Sequence, residues 1–235
     1  MAEESSYLVD YLRKKGFAET RKLRHEYLSY YGLDQEYVYV LVSGVVKTSV
    51  TLREGSEFNI FYIKGPSPVS LLRDEVSSRA KAPFTVRVES DEALYMRIPR
   101  VAFWDFVNED PLLLGCVKDY YRSSLEETLY RMRYLTMNGK VGAVGGFLYD
   151  LNDRFGAPCE GGSMITLDIT NEDIAQFCGI SSRSSVNRIL RGFREKEIIS
   201  TRERGSRIVI HDKERLRRDG RGERTGWETH RLART

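Results

Sequence analysis

Between residues 37 and 100 apolar and polar positions alternate over short runs, and from residue 110 onward the apolar ones recur every third or fourth position. The two periods predict strands first and helices after. The strand-like runs are Tyr37–Val42, Val45–Leu52, Phe58–Ile63, Phe84–Val88 and Ala93–Ile98, with Gly44, Gly55 and Gly65 at their turns. Runs of this length and spacing predict an antiparallel sandwich or barrel. A short amphipathic helix precedes them, with Tyr7, Leu8, Tyr11 and Leu12 on one side. Short helices are predicted over 101–107 and 140–152, and a long one over 110–138. Along the long helix Leu114, Val117, Tyr121, Leu125, Thr128, Met132 and Leu135 recur at intervals of three or four, close to a heptad seam. That seam predicts a partner helix related by two-fold symmetry, although packing on the helix's own barrel would account for part of it.

Residues 166–210 carry the most specific pattern. Thr170 with Asp173 three positions on resembles a capping box, and Gly179 suits a left-handed helix end. A second helix is predicted after Ser182, with Val186, Ile189, Leu190 and Phe193 as its buried stripe. Its other face carries Arg183, Ser184, Ser185, Asn187, Arg188 and Arg191. Two strand-like runs follow, Ile198–Thr201 and Arg207–Ile210, with Gly205 in the turn; Arg202, Arg204 and Arg207 lie on this wing. Such a helix in a major groove can read guanine through Arg and adenine through Asn, while wing arginines hold phosphates. A packing unit with a solvated basic face is the plainer alternative, and Arg183–Arg207, with eight basic and three acidic residues, favours DNA.

Charge sharpens the division. Residues 1–138 carry 19 Lys/Arg against 20 Asp/Glu, and residues 139–235 carry 18 against 14, so the basic excess accompanies the helix pair. No apolar run reaches the roughly 20 residues that cross a bilayer, and no secretory leader opens the chain. Three scattered cysteines (Cys116, Cys159 and Cys178) fit a reducing cytoplasm. The expected architecture is α+β. A β-barrel sensor over 1–109 is followed by a dimerisation helix and hinge over 110–138, the hinge at Asn138–Gly139. A winged helix-turn-helix over 139–212 and a basic disordered tail over 213–235 complete it. The glycines near Lys140 lack Walker spacing, so close helix packing explains them better than a phosphate loop.

That order of parts resembles the Crp/Fnr family of bacterial transcription regulators over roughly residues 5–212. The run Arg183-Ser184-Ser185-Val186-Asn187-Arg188-Ile189-Leu190 is similar to the family's recognition helix, in which an Arg-Glu-Thr-Val-x-Arg pattern is usual. The resemblance implies guanine and phosphate roles for Arg183 and Arg188, a homodimer on a pseudo-palindromic DNA site, and contact with RNA polymerase. Ser184 replaces the usual glutamate, and the turn Gly179-Ile180-Ser181-Ser182 is one residue longer, so the preferred site departs from the familiar one. Where cyclic-nucleotide members carry Gly-Glu-Leu and Arg-Ser-Ala, this chain has Val69-Ser70-Leu71 and Ala82-Pro83-Phe84, which argues against cyclic AMP. The lack of an N-terminal cysteine cluster and of His/Cys constellations argues against an iron–sulfur cluster, haem or another metal.

The strings Asp34-Gln35-Glu36-Tyr37, Phe61-Tyr62-Ile63-Lys64-Gly65-Pro66 and Asn138-Gly139-Lys140 resemble the PrfA-like, listerial branch of the family. Members of that branch respond to glutathione or to peptides. By that resemblance Tyr62, Lys64, Tyr120, Tyr121 and Arg122 would line an effector pocket. Two alternatives remain. A ligand-independent regulator would keep a purely structural barrel. A cupin-like enzyme fused to a basic module would need clustered histidines, and residues 37–100 contain none.

Overall fold

The computed structural model describes residues 2–34, 36–53, 55–71, 81–137, 139–202 and 207–221. The chain divides into two compact units, Met1–Glu126 and Glu127–Thr235, inside its longest helix.

Among the described residues of the first unit, α1 (Ala2–Lys14) leads into eight strands: β1 (Glu19–Leu23), β2 (Tyr27–Ser29), β3 (Tyr37–Ser43), β4 (Val45–Thr51), β5 (Glu57–Lys64), β6 (Ser67–Pro68), β7 (Thr85–Val88) and β8 (Glu92–Pro99). They form two antiparallel sheets, ordered β1-β8-β3-β6 and β2-β7-β4-β5, so most connections switch sheets as in a jelly roll. The alternation seen in the sequence gives the β1-β8-β3-β6 sheet two packing faces. Val38, Val40, Met96 and Ile98 meet Leu8 and Leu12 of α1, Phe103 and Val107 of α2 (Arg100–Glu109), and the start of α3 (Pro111–Met137). Leu41, Ala93 and Tyr95 face Val46, Val86 and Val88 of the other sheet. Gly44 turns β3 into β4 at φ +93, where a Cβ would lie 2.6 Å from the Glu92 carbonyl oxygen. The sequence pattern missed β1, β2 and β6. The first is mostly polar and exposed, and the other two are only three and two residues long.

The second unit holds the end of α3, then α4 (Gly139–Phe155), β9 (Gly156–Cys159), β10 (Gly162–Ile165), α5 (Asn171–Cys178), α6 (Arg183–Glu195), β11 (Ile199–Arg202), β12 (Arg207–Ile210) and α7 (Lys213–Arg221). Gly139 begins α4 at φ +59, a conformation that separates α4 from α3; Asn138, the other half of the expected hinge, lies outside the described residues. The wing strands belong to a larger sheet, β11-β12-β10-β9, of which the sequence reading found only two strands. The expected tail needs correction over 213–221, which form α7. Asp212 accepts a hydrogen bond from the Arg215 backbone N–H (2.8 Å), and Leu216 is fully buried. One apolar residue in a basic run is too little for a periodicity to register. Residues 222–235 lie outside the described residues, as do 203–206, which include Arg204 and Gly205.

Candidate nucleic-acid interface

The interface is built on two caps. Thr170 Oγ1 accepts the Asp173 backbone N–H at 3.0 Å, and Asp173 Oδ2 accepts the Thr170 backbone N–H at 3.1 Å, a reciprocal capping box that fixes the start of α5. Gly179 ends α5 in the left-handed region (φ 62, ψ 33). After the turn, Ser182 Oγ accepts the Ser185 N–H at 3.2 Å and starts α6. Val186, Leu190 and Phe193 then bury one stripe of α6; Ile189, expected in the same stripe, is only half-buried.

The stripe turns Arg183, Ser184, Asn187, Arg188 and Arg191 to the exposed side. Ser185 is half-buried and bonded through its hydroxyl to Ser182 Oγ (3.0 Å), so it serves the cap. Two of the exposed side chains are oriented from α5. Asn171 Nδ2 donates to Asn187 Oδ1 at 2.6 Å, and Glu172 lies 3.5 Å from Arg183 Nε. On the wing, Arg202 Nη2 donates to the Glu160 carbonyl (3.0 Å), whereas Arg207 is half-buried with Nε 3.2 Å from Asp168. His211 straps the sheet, its ring nitrogens 2.6 Å from the Gly161 carbonyl and 2.8 Å from Ser200 Oγ.

Sequence reasoning missed the seat that holds the end of α3 against this unit. The Arg131 guanidinium lies 4.9 Å above the Phe177 ring and donates to the Phe177 carbonyl at 2.8 Å. Phe177 stacks on Phe147 at 4.7 Å. Tyr134 is buried against Gly146, where a Cβ would come within 2.8 Å of the tyrosine ring, so the helices approach too closely for any side chain there. Arg154 Nη1 bonds Glu127 at 2.7 Å. Inside this seat burial raises the Asp150 carboxyl to about 7 and pushes the Cys178 thiol up to about 12, which keeps that sulfur an inert thiol. These contacts join residues many positions apart, and only the glycines of α4 hinted at them.

The expected dimer seam divides. Val117 is buried in the core of the first unit and Leu114 packs against that core, while Leu135 is half-buried. Thr128 is exposed, as are Tyr121 (36%), Leu125 (60%) and Met132 (57%). Leu129, absent from the expected seam, joins them at 54% exposed.

The five residues expected around an effector fall into two groups, two on β5 and three on α3. Tyr62 and Lys64 share β5, the first buried and the second exposed. Tyr120 and Tyr121 pack ring to ring at 5.7 Å on α3, and Arg122 is paired with Asp119. Strand register also sets Tyr27, Arg87, Lys47 and Tyr62 in one row across the second sheet. Arg87 Nε lies 2.8 Å from Glu89, whose carboxylate outweighs burial and holds the guanidinium above its usual range. Lys47, 3.8 Å from the same carboxylate, is buried. No sequence signal marked Lys47, because a buried lysine and a surface lysine look alike in a strand. Among the described residues no group of three His, Cys, Asp or Glu could hold a metal, and no helix is long and apolar enough to cross a membrane.

Residues 143–219 match the model of the Crp-like helix-turn-helix domain. The chain is 46% identical over 206 residues to the lactate racemization regulatory protein of Lactiplantibacillus plantarum, covering 88% of this chain and 92% of that one. It is 24% identical to the listeriolysin regulatory protein of Listeria monocytogenes, over 70% of each chain. The solved structure of FixK2 from Bradyrhizobium japonicum superposes with a TM-score of 0.72 at 18% identity, covering 88% of this chain and 99% of that one.

Proposed function

The chain belongs to the Crp/Fnr family of transcription regulators, and from that premise we propose that it is a homodimer that reads a pseudo-palindromic DNA site and answers a small effector that is not a cyclic nucleotide. The observation that carries the DNA half is α6: capped at its start, buried along one stripe, and presenting Arg183, Ser184, Asn187 and Arg188 outward. Its first turns would enter the major groove, with Arg183 and Arg188 on guanine edges or phosphates and Asn187 on adenine. Arg191, Arg202 and Arg204 would hold the backbone, so affinity falls steeply with salt. Arg207, already paired with Asp168, would brace the wing. The exposed stripe Tyr121, Leu125, Leu129 and Met132 would pair with its equal on a second copy and set two α6 helices against two half-sites.

The relative at 46% identity is named for lactate racemization, and we assign this chain the control of genes of that kind. For the effector, the likeness to the listerial branch supports glutathione or a short peptide near Tyr62 and Lys64, whereas the lactate-related relative supports a small hydroxy acid. The relatives are regulators, and we read this chain as a non-enzyme working in the cytoplasm, in contact with RNA polymerase when bound. A footprint on candidate promoter DNA at two salt concentrations, alone and with reduced glutathione or lactate, tests this reading. Protection of about 20 base pairs with two-fold symmetry supports the dimer. Sharpening by one of the two compounds identifies the effector class. Equal protection in all samples would favour the ligand-independent regulator, and failure to bind any DNA even at low salt would remove the reading.

A further inference from the structure

A groove of about 280 Å³ runs between the first turn of α4 and the outer flank of α6. Its floor is apolar, built from Val141, Ile189, Gly192 and the edge of Phe193, and Lys140, Arg188 and Lys196 line it as well. Among the described residues no carboxylate lines it. Val141 is 47% exposed, and Ile189 is half-buried although it sits in register with the buried stripe of α6.

Gly192 makes the groove more than a surface irregularity. It lies inside α6, where glycine costs backbone entropy that alanine would not. Nothing within the described chain asks for it. Its φ is not positive, and an added Cβ would meet no atom within 4 Å. Its effect is to leave the groove floor open.

We propose that this groove binds a small amphipathic anion, a carboxylate on a flat apolar body. The body would lie on Val141, Ile189 and the bare backbone of Gly192, and the anionic head would meet Lys140, Arg188 and Lys196. Three cations and, among the described residues, no acid around an apolar floor complement that chemistry and repel a cationic ligand. The volume limits the body to about one or two rings. Arg188 also belongs to the DNA-reading face, so the bound anion withdraws it from DNA and acts as a competitor. This last step rests on the proposed reading of α6, whereas the binding site itself does not.

The test uses the full chain and the fluorescent aromatic sulfonate 8-anilinonaphthalene-1-sulfonate as probe, displaced by 4-phenylbutyrate or by inorganic phosphate. Gly192→Leu fills the groove while favouring the helix, and Lys140→Ala removes one cation outside the reading face. Saturable binding of one probe per chain is expected, weakened at least tenfold by Gly192→Leu and several-fold by Lys140→Ala, with phenylbutyrate displacing it far better than phosphate. Saturating phenylbutyrate should weaken DNA binding by the parent chain and leave Gly192→Leu unaffected. Unchanged probe binding in a folded Gly192→Leu protein, or no saturable binding at all, overturns the site. Displacement by phosphate alone makes the groove part of the DNA footprint and overturns the small-ligand assignment. Intact probe binding without competition against DNA overturns only the competitor role. A chain that binds probe but no DNA separates this site from the DNA reading altogether.

Discussion

Asp150 makes the stability of the DNA-binding unit fall as pH rises. The residue sits on α4, and its carboxyl is raised from an ordinary 3.8 to about 7, chiefly by burial. Arg154 draws it down, Glu127 and Asp153 push it up, and the Tyr134 hydroxyl donates to it. Arg131 of α3 and Cys178 of α5 complete the charged and titratable groups of the same seat. Between pH 3.8 and about 7 the folded chain keeps a proton here that the unfolded chain releases. Unfolding therefore becomes easier through that window and levels off above it. The gap corresponds to about 4 kcal/mol at most, and the partial solvent contact of Asp150 brings the expected value nearer ~2 kcal/mol. Asp150→Asn removes the titration and keeps an acceptor for Tyr134. Urea unfolding of both proteins from pH 5 to pH 8 provides the assay. The variant should gain stability over the parent steadily with pH, by roughly 2 kcal/mol at pH 8 and much less at pH 5. Glu26 and Asp110, which are held below their ordinary 4.5 and 3.8, act on stability only below those values, under the assayed range, and cancel in the difference. Parallel curves for the two proteins, or a gap that closes as pH rises, would refute the reasoning.

Thr170→Ala removes half of the capping box on α5 and should cost about 1–2 kcal/mol of unfolding free energy; a loss below a few tenths would show that the cap does not support the helix. Arg188→Ala should abolish sequence-specific binding while circular dichroism and oligomeric mass stay unchanged, and an unaltered gel shift removes Arg188 from the reading face. Leu125→Glu with Leu129→Glu sets charge into the exposed stripe of α3 and should give monomers by sedimentation, with DNA affinity reduced at least tenfold. A persistent dimer would place the interface elsewhere.

Local chemistry made the reading helices legible. Thr170, Asp173, Gly179 and Ser182 act within one turn of themselves, and the stripe of α6 repeats within its own length. Strands were legible where alternation ran for four residues or more, and invisible in Glu19–Leu23 of the jelly roll, which is mostly polar, and in Gly156–Cys159 of the wing sheet, which contains Gly and Pro. Periodicity along α3 found an apolar stripe but could not say what it packs against; Val117 belongs to its own domain, and Leu129 faces outward. The Arg131–Phe177 stack, the Tyr134–Asp150 contact and the burial of Lys47 depend on chain segments brought together only by folding.

Selection of bound sequences from a pool of random duplex DNA tests the central claim most directly. The account expects enrichment of one site with two-fold related halves, their centres about 10 base pairs or one helical turn apart, lost when Arg188 is replaced by alanine. Retention of DNA without any enriched sequence, or an enriched site that survives the replacement, would contradict a regulator that reads DNA through α6.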